Sequence, residues 1–345
     1  MNRPGQMLCL VIAVAIWMHG VLPTHAFAQS EVPETDVGMA RTDIHGPFPV
    51  SSQSPFQSLR PTMVPGADAP MREGKWLVRL NTTLANVWIN ECNRYVLDFE
   101  TLDNVFALQY GWLPNMTVGV RYEERSVFGG ILDGWIESFH RLTHIEQAGR
   151  DDVPHGRMSF ALYPEGKAPV SVVDEKGVYS RRLSADWRWR VLEAKSMQPS
   201  VSLGMSIDMD VYTSPFVEKD FPIDVGWFIG ATERLGPIWI YLQAGFNWYG
   251  AEYAGGLEQP SSAWAGLLAV EWPVSQISSV IVQYRIDEGA VKHFGSFSDP
   301  VHEVLLGGRW RLAKRFLLEA ALLENVFIYD NSPDFGVHLG LKALF

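Results

Sequence analysis

The chain is short of cysteine and of long apolar runs, and each shortage excludes something. Only two cysteines occur in 345 residues, Cys9 and Cys92. Cys9 sits in a leader-like stretch expected to be removed, so Cys92 would stand alone and no intrachain disulfide could form, even in an oxidising compartment. A lone cysteine can serve as a nucleophile, but Cys92 lies in a turn-like Asn-Glu-Cys-Asn stretch with no histidine near it in sequence, and the plain alternative is an incidental loop thiol. No run of about 18 apolar residues is present, which excludes a helical membrane span. Basic residues are also scarce. Lys and Arg number 28 against 39 Asp and Glu, a formal net charge of −11, which argues against nucleic acid as a partner. No HExxH, GxSxG, phosphate-binding Gly-rich loop or CxxC pair occurs, so the chain carries none of those catalytic, cofactor or metal signatures, and no metal or cofactor is expected.

What is present begins with export. Arg3 supplies a short positive region, Met7 to Met18 is an unbroken apolar stretch of 12 residues, and Ala26-Phe27-Ala28 is a small-x-small cleavage signal. This is the pattern of a cleaved secretory signal peptide over 1–28, cut after Ala28. The following residue is Gln29 rather than Cys, which argues against a lipoprotein. Losing Arg3 with the leader leaves 317 residues with 27 basic and 39 acidic side chains, a net of −12.

Residues 29–74 are rich in Pro, Ser and Gly with little periodicity, and read as a linker or an extended periplasmic segment. From Trp76 onward period-2 alternation repeats to the last residue. In the final strand Val337, Leu339, Leu341, Ala343 and Phe345 form one apolar face while His338, Gly340 and Lys342 point the other way. Working back, strands are expected at 316–329, 303–312, 277–287, 262–272, 238–250, 222–233, 200–212 and 182–193, with three more at about 116–126, 95–111 and 75–88. Short connections (Ala313 to Arg315, Pro273 to Gln276, Arg234 to Pro237) alternate with long ones (Gly289 to Pro300, Ala251 to Ser261, Thr213 to Phe221). A transmembrane barrel needs tight periplasmic turns and permits long external loops, whereas a soluble sandwich has no reason for that alternation. The expected fold is therefore all-β: a transmembrane antiparallel β-barrel of 12 strands over 75–345. A large external insert spans 127–181. A weak strand pair inside it, near 157–163 and 168–174, gives 14 strands as the alternative.

Aromatics gather at strand ends, with Trp112, Trp239, Trp272, Trp310, Phe316 and Phe345 on the short-turn side and Trp88, Tyr212, Trp248 and Tyr329 towards the long loops. They suggest two interfacial girdles against outer-membrane lipid. The inward registers carry both signs of charge: Arg121, Asp186, Arg188, Arg190, Asp208, Asp210, Arg285, Asp287, Glu303, Arg309, Arg311 and Glu319, with Arg79, Glu123, Asp224 and Glu271 in the same phase. Such a lining is either a selectivity filter or structural filling of a narrow barrel cross-linked by ion pairs.

The insert holds one helical signal, Leu132 to His144. Leu132, Trp135, Ile136 and Phe139 recur at i, i+3, i+4 and i+7, which predicts a short helix. Asp133, Glu137, His140 and His144 form an adjacent stripe, a spacing that suits an acid/base pair or an ordinary solvated face. The apolar stripe needs cover, since so short a helix is marginal alone in water, and the barrel mouth is the expected partner.

At this insert the chain resembles a known family. Gly129-Gly130-Ile131-Leu132-Asp133-Gly134-Trp135-Ile136-Glu137-Ser138-Phe139-His140, then Gly149-Arg150, is similar to the G-G-x-L-D-G-x-I-x-x-F-H…G-R signature of a bacterial domain-of-unknown-function family of outer-membrane β-barrel proteins. Gly46-Pro47, Ser54-Pro55, Leu97-Asp98-Phe99-Glu100, Tyr110-Gly111-Trp112 and Asp334-Phe335 fit the same pattern, so the resemblance covers most of the chain beyond the leader. The 157–181 stretch departs from it in being shorter. The resemblance implies a barrel and brings no activity with it.

The chain thus reads as a porin-like outer-membrane barrel of a Gram-negative bacterium, serving as a narrow channel or a structural surface protein. The alternative is an outer-membrane enzyme acting on lipid or envelope substrates through the 131–150 insert, with Asp133, Glu137, His140 and Arg150 as catalytic candidates. A third reading is a soluble periplasmic β-protein. Expected partners are outer-membrane lipid and the barrel-assembly machinery, the latter through the C-terminal strand ending at Phe345.

Overall fold

The computed structural model describes residues 45–66, 70–91, 93–132, 134, 156–166, 169–173, 176–195, 198–212, 223–254 and 257–345. Sixteen strands lie in these residues. In chain order they are β1 (Trp76–Glu91), β2 (Tyr95–Leu113), β3 (Met116–Phe128), β4 (Ser159–Leu162), β5 (Val170–Val173), β6 (Gly177–Leu192), β7 (Ser200–Asp210) and β8 (Ile223–Leu235). They continue with β9 (Ile238–Trp248), β10 (Tyr253–Ala254), β11 (Leu257–Glu258), β12 (Ser262–Pro273), β13 (Ser278–Asp287), β14 (Val301–Ala313), β15 (Phe316–Asn325) and β16 (Phe335–Leu344).

Twelve of them close a barrel. The pairing runs β1-β16-β15-β14-β13-β12-β9-β8-β7-β6-β3-β2 and returns to β1, every pair antiparallel. Closure leaves no free sheet edge in the wall, so the backbone donors and acceptors there find partners on a neighbouring strand. β4 and β5 stay outside this ring. β4 adds to the upper end of β2 through Tyr95 to Asp98 and β5 adds to β4, so the wall has 12 strands and the 14-strand alternative falls away. The reason is length: β1 and β2 run past the wall and their upper parts serve a separate small sheet.

The wall follows from the period-2 pattern. In β16 Leu339 and Leu341 are exposed while His338 and Lys342 are buried. β13 does the same, with Val282 outward and Ile281, Gln283, Arg285 and Asp287 inward. A slip of one residue would exchange the faces of a whole strand. Apolar side chains stand outward around the ring, among them Leu80, Phe106, Val120, Leu203, Ile229, Leu242 and Leu268. Exposed apolar surface on that scale is costly in water and is the outer surface of a membrane-spanning barrel.

Tight turns close one end. Asn115, at φ 68°, and Gly236, at φ 61°, sit in the left-handed region that these turns require. At the other end the connections are long, except that β1 passes to β2 by a turn in which Asn93 is also left-handed, at φ 63°. Here the strands overshoot the wall, and an apolar cluster caps the barrel. It brings together Val87, Ile89, Tyr95, Leu97 and Phe99 with Phe160, Leu162 and Tyr179, and with Phe294 and Phe297 of the loop between β13 and β14. A short 3-10 turn, Gly295–Ser298, positions the two phenylalanines. The helix expected from Leu132 to His144 falls almost wholly outside the described residues, as does Cys92.

Candidate functional site

The barrel is not empty. Residues 45–66, expected as part of a linker or an extended periplasmic segment, lie inside it, and this corrects that expectation. His45 sits at the short-turn end, where its ring stacks on Trp239 at 5.0 Å and its Nδ1 is 2.8 Å from Glu271 Oε1. Trp239 therefore faces the interior rather than the outer girdle. From His45 the segment climbs. Gly46 N–H donates to Glu271 Oε2 at 2.9 Å, and Phe48 N–H to Gln283 Oε1 at 2.7 Å. Ser52 Oγ and Gln53 N–H both donate to Glu303 Oε1, at 3.2 and 2.9 Å.

At the long-loop end the chain makes a single 3-10 turn, Gln57–Leu59. Phe56 plugs into the apolar cap with its ring edge-on to Phe297 at 4.6 Å and Phe294 at 6.2 Å. The segment then descends. Arg60 donates to Gly289 O at 3.0 Å and lies 4.3 Å over the Tyr249 ring. Tyr249, just beyond β9, donates its hydroxyl to Pro61 O at 3.1 Å, and burial pushes that hydroxyl up to about 12, so it remains a donor at neutral pH. Lower down, Gly66 exchanges bonds with the Gln243 amide, and Met71 N–H reaches Thr117 Oγ1 at 2.8 Å beside the first short turn. The limb passes so close to β9 that a Cβ on Gly245 would stand 2.9 Å from Met63 Cβ.

The geometry is an out-and-back plug. Each limb enters or leaves at the short-turn end, and the apex is latched at the long-loop end. Arg285 ties the limbs together: its Nη1 donates to Val50 O at 3.2 Å on the way up and to Met63 O at 2.7 Å on the way down, while Asp287 accepts from Nη2 at 2.7 Å. A plug with no ladder of its own has its backbone groups satisfied by inward side chains of the wall, which is how irregular backbone is tolerated at membrane depth.

The charged residues of the inward registers fall into this scheme as follows. Arg309 bridges Glu319 Oε1 at 2.6 Å, Glu271 at 3.2 Å and the Gly46 carbonyl at 2.8 Å, and Lys342 adds to Glu319 at 2.8 Å. Arg121 meets Asp208 at 3.2 Å, and Asp208 also accepts from Ser206 Oγ at 2.8 Å. Asp210 lies 3.4 Å from Arg182. Glu303 and the Arg285–Asp287 pair hold the plug. Asp186 and Arg188 are half-buried and line what remains open of the lumen. Arg190 sits at the short-turn rim, bonded to Asn115 Oδ1 and 3.5 Å from Glu193. Arg311 lies at the same rim, half-buried, with its backbone N–H on Ile277 O. Asp133, Glu137, His140 and Arg150 are outside the described residues.

The structure brings in groups that the sequence reading passed over. Asp103 and Arg125 pair at 2.7 Å, and Arg182 reaches Glu123 at 3.6 Å. Arg125 and Arg182 share the phase of Arg121 and Asp186 and lie within the strands expected at 116–126 and 182–193, so following that phase to the strand ends would have found them. The plug's apolar residues Phe48, Val50, Phe56, Leu59 and Met63, all buried, were the signal against a plain linker, which has no reason to carry them.

Between plug and wall lies a cavity of about 110 Å³. It runs beside β1, β2, β3, β6 and β16, from Leu77, Gln109 and Leu344 near the short-turn end up to Glu123. Its plug side is formed by Pro49, Ser51 and Thr62 to Gly66.

A family model described as "Protein of unknown function (DUF3187)" matches residues 32–345. No curated protein matches the chain. Among solved structures the chain is similar to the COG4313 outer membrane channel from Pseudomonas putida F1, at 14% identity and a TM-score of 0.52, over 82% of this chain and 100% of that one. It also matches the translocator domain of autotransporter NalP from Neisseria meningitidis, at 9% identity and a TM-score of 0.43, over 80% and 90% of the two chains. The first of these likenesses shows the fold, that of outer-membrane β-barrels.

Proposed function

We propose that this chain, which belongs to the family described as proteins of unknown function (DUF3187), is an outer-membrane channel held closed by its own N-terminal segment. The observation that carries the reading is the out-and-back course of residues 45–66 through the lumen, bonded to inward side chains of β9, β12, β13 and β14. The fold shared with an outer membrane channel supports the same reading. A plug made of two extended limbs and one 3-10 turn has no hydrogen-bonded ladder to break, so it can leave the lumen without unfolding the wall. Export by a signal peptide cut after Ala28, and residence in a Gram-negative outer membrane, belong to this proposal.

A second reading is favoured by one feature. The apolar cap seals the long-loop end around Phe56, as suits a permanently closed structural barrel. One experiment separates the two. A variant lacking residues 45–66 is refolded and reconstituted in planar bilayers, with heat-modifiable gel migration to establish that the barrel is closed. A several-fold rise in conductance over the full-length chain supports a gated channel. Conductance no higher than that of the full-length chain, in a barrel that still migrates as folded, supports the structural reading.

A further inference from the structure

The cavity left beside the plug is charged on one side. Its lining carries four cations, Arg79, Arg121, Arg188 and Lys342, and two carboxylates, Glu123 and Asp186. Several of these are already matched. Arg121 is held by Asp208 at 3.2 Å, Lys342 by Glu319 at 2.8 Å, and Glu123 by Arg182 at 3.6 Å. Arg188 and Asp186 offset one another in charge. Arg79 feels Glu319 and Asp186 at longer range but makes no ion pair within 4.0 Å among the described residues, and its Nε is buried without a hydrogen-bond partner.

Two residues further along β1, on the same inward face, stands Asn81. Its side chain is 95% buried, lines the same cavity, and leaves both Nδ2 and Oδ1 without a partner. A buried amide with neither group satisfied normally costs free energy. Here it stands beside a guanidinium whose opposite charges, Glu319 and Asp186, lie beyond ion-pair distance, and both border one open space. A guanidinium that borders the open space and keeps its Nε unbonded fits a planar two-oxygen acceptor, and an amide some 7 Å along the strand fits a second polar group on the same molecule. A carboxylate meets the fork through two parallel N–H···O bonds, which a spherical anion cannot do.

We propose that this cavity is a binding site for a small organic carboxylate, with Arg79 holding the carboxylate and Asn81 a neighbouring hydroxyl or carbonyl. A volume near 110 Å³ admits a solute of a few heavy atoms. Thr62 to Gly66 of the plug form the opposite wall, so the occupant contacts the segment that closes the lumen. The site exists with the plug in place, and its test therefore does not depend on conductance.

The test uses the intact refolded protein in neutral detergent. Sodium lactate is titrated calorimetrically at constant ionic strength, with sodium chloride and lactamide as controls. The expected result is saturable binding of lactate and none of either control. Arg79→Gln should weaken it at least tenfold, and Arg79→Lys should weaken it less, since the charge stays and the fork is lost. Asn81→Ala should weaken lactate several-fold while changing acetate little, which also serves if Arg79→Gln fails to fold. Absence of lactate binding, equal binding of chloride or lactamide, or undiminished binding in Arg79→Gln would overturn the assignment. A lactate result of either sign leaves the outcome of the plug deletion open, so the two proposals fail separately.

Discussion

Replacing Phe56 by Ala attacks the plug at its apex without touching a wall strand. The Phe56 side chain is fully buried and packs edge-on against Phe294 and Phe297. Truncating a buried Phe to Ala costs about 3–5 kcal/mol, of which aromatic pairs of this geometry supply roughly 0.5–1.5 each. The loss falls on the docked plug, because in the undocked state Phe56 has no such contacts to lose. At about 1.36 kcal/mol per factor of ten, the ratio of open to closed barrels should rise roughly 10²- to 10⁴-fold. Single-channel recording of the refolded variant measures this as open time, and heat-modifiable migration establishes that the wall is intact. An open fraction equal to that of the unaltered chain, in a folded barrel, would refute the claim that the apolar latch keeps the plug seated.

Two further outcomes test the wall. Leu341 faces outward on β16, so Leu341→Arg should destabilise the barrel by roughly 2–4 kcal/mol if the residue lies near the midplane; a refolding titration in lipid reads this, and a near-neutral result would put Leu341 at the interface or off the lipid face. Phe345 closes the seam between the first and last strands by exchanging two backbone bonds with Trp76, at 3.0 and 2.9 Å. Deleting it removes about 0.5–1.5 kcal/mol per bond and the terminal aromatic that we propose the assembly machinery reads, so folded yield in the membrane should fall, and normal yield would count against both roles.

The wall was legible because its information is local. Alternation along β7, β13 and β16 states which side chain faces out, and the Pro114-Asn115 and Gly236-Pro237 turns state where the chain reverses. The strand ends were read less well, since β1 and β2 continue past the wall, where β2 pairs with β4, a decision taken by a partner more than 50 residues away. Trp239 illustrates the same limit. An aromatic at a strand end suits a girdle, and only the presence of His45 across the lumen turns it into an inward stacking partner.

The plug was not legible as a plug. Residues 45–66 have no period, because their backbone bonds go to side chains rather than to a ladder. Those partners lie far off in sequence: Gly46 bonds to Arg309, Phe48 to Gln283, Gln53 to Glu303 and Gly66 to Gln243. The sequence by itself determined the barrel, a count of 12 strands with 14 left open, and the phase of most of its inward charges, since each of these follows from neighbouring residues on one strand. Which charges would meet, and that a Pro/Ser-rich segment would fill the space between them, was decided only when closure of the ring brought twelve inward faces around a single axis.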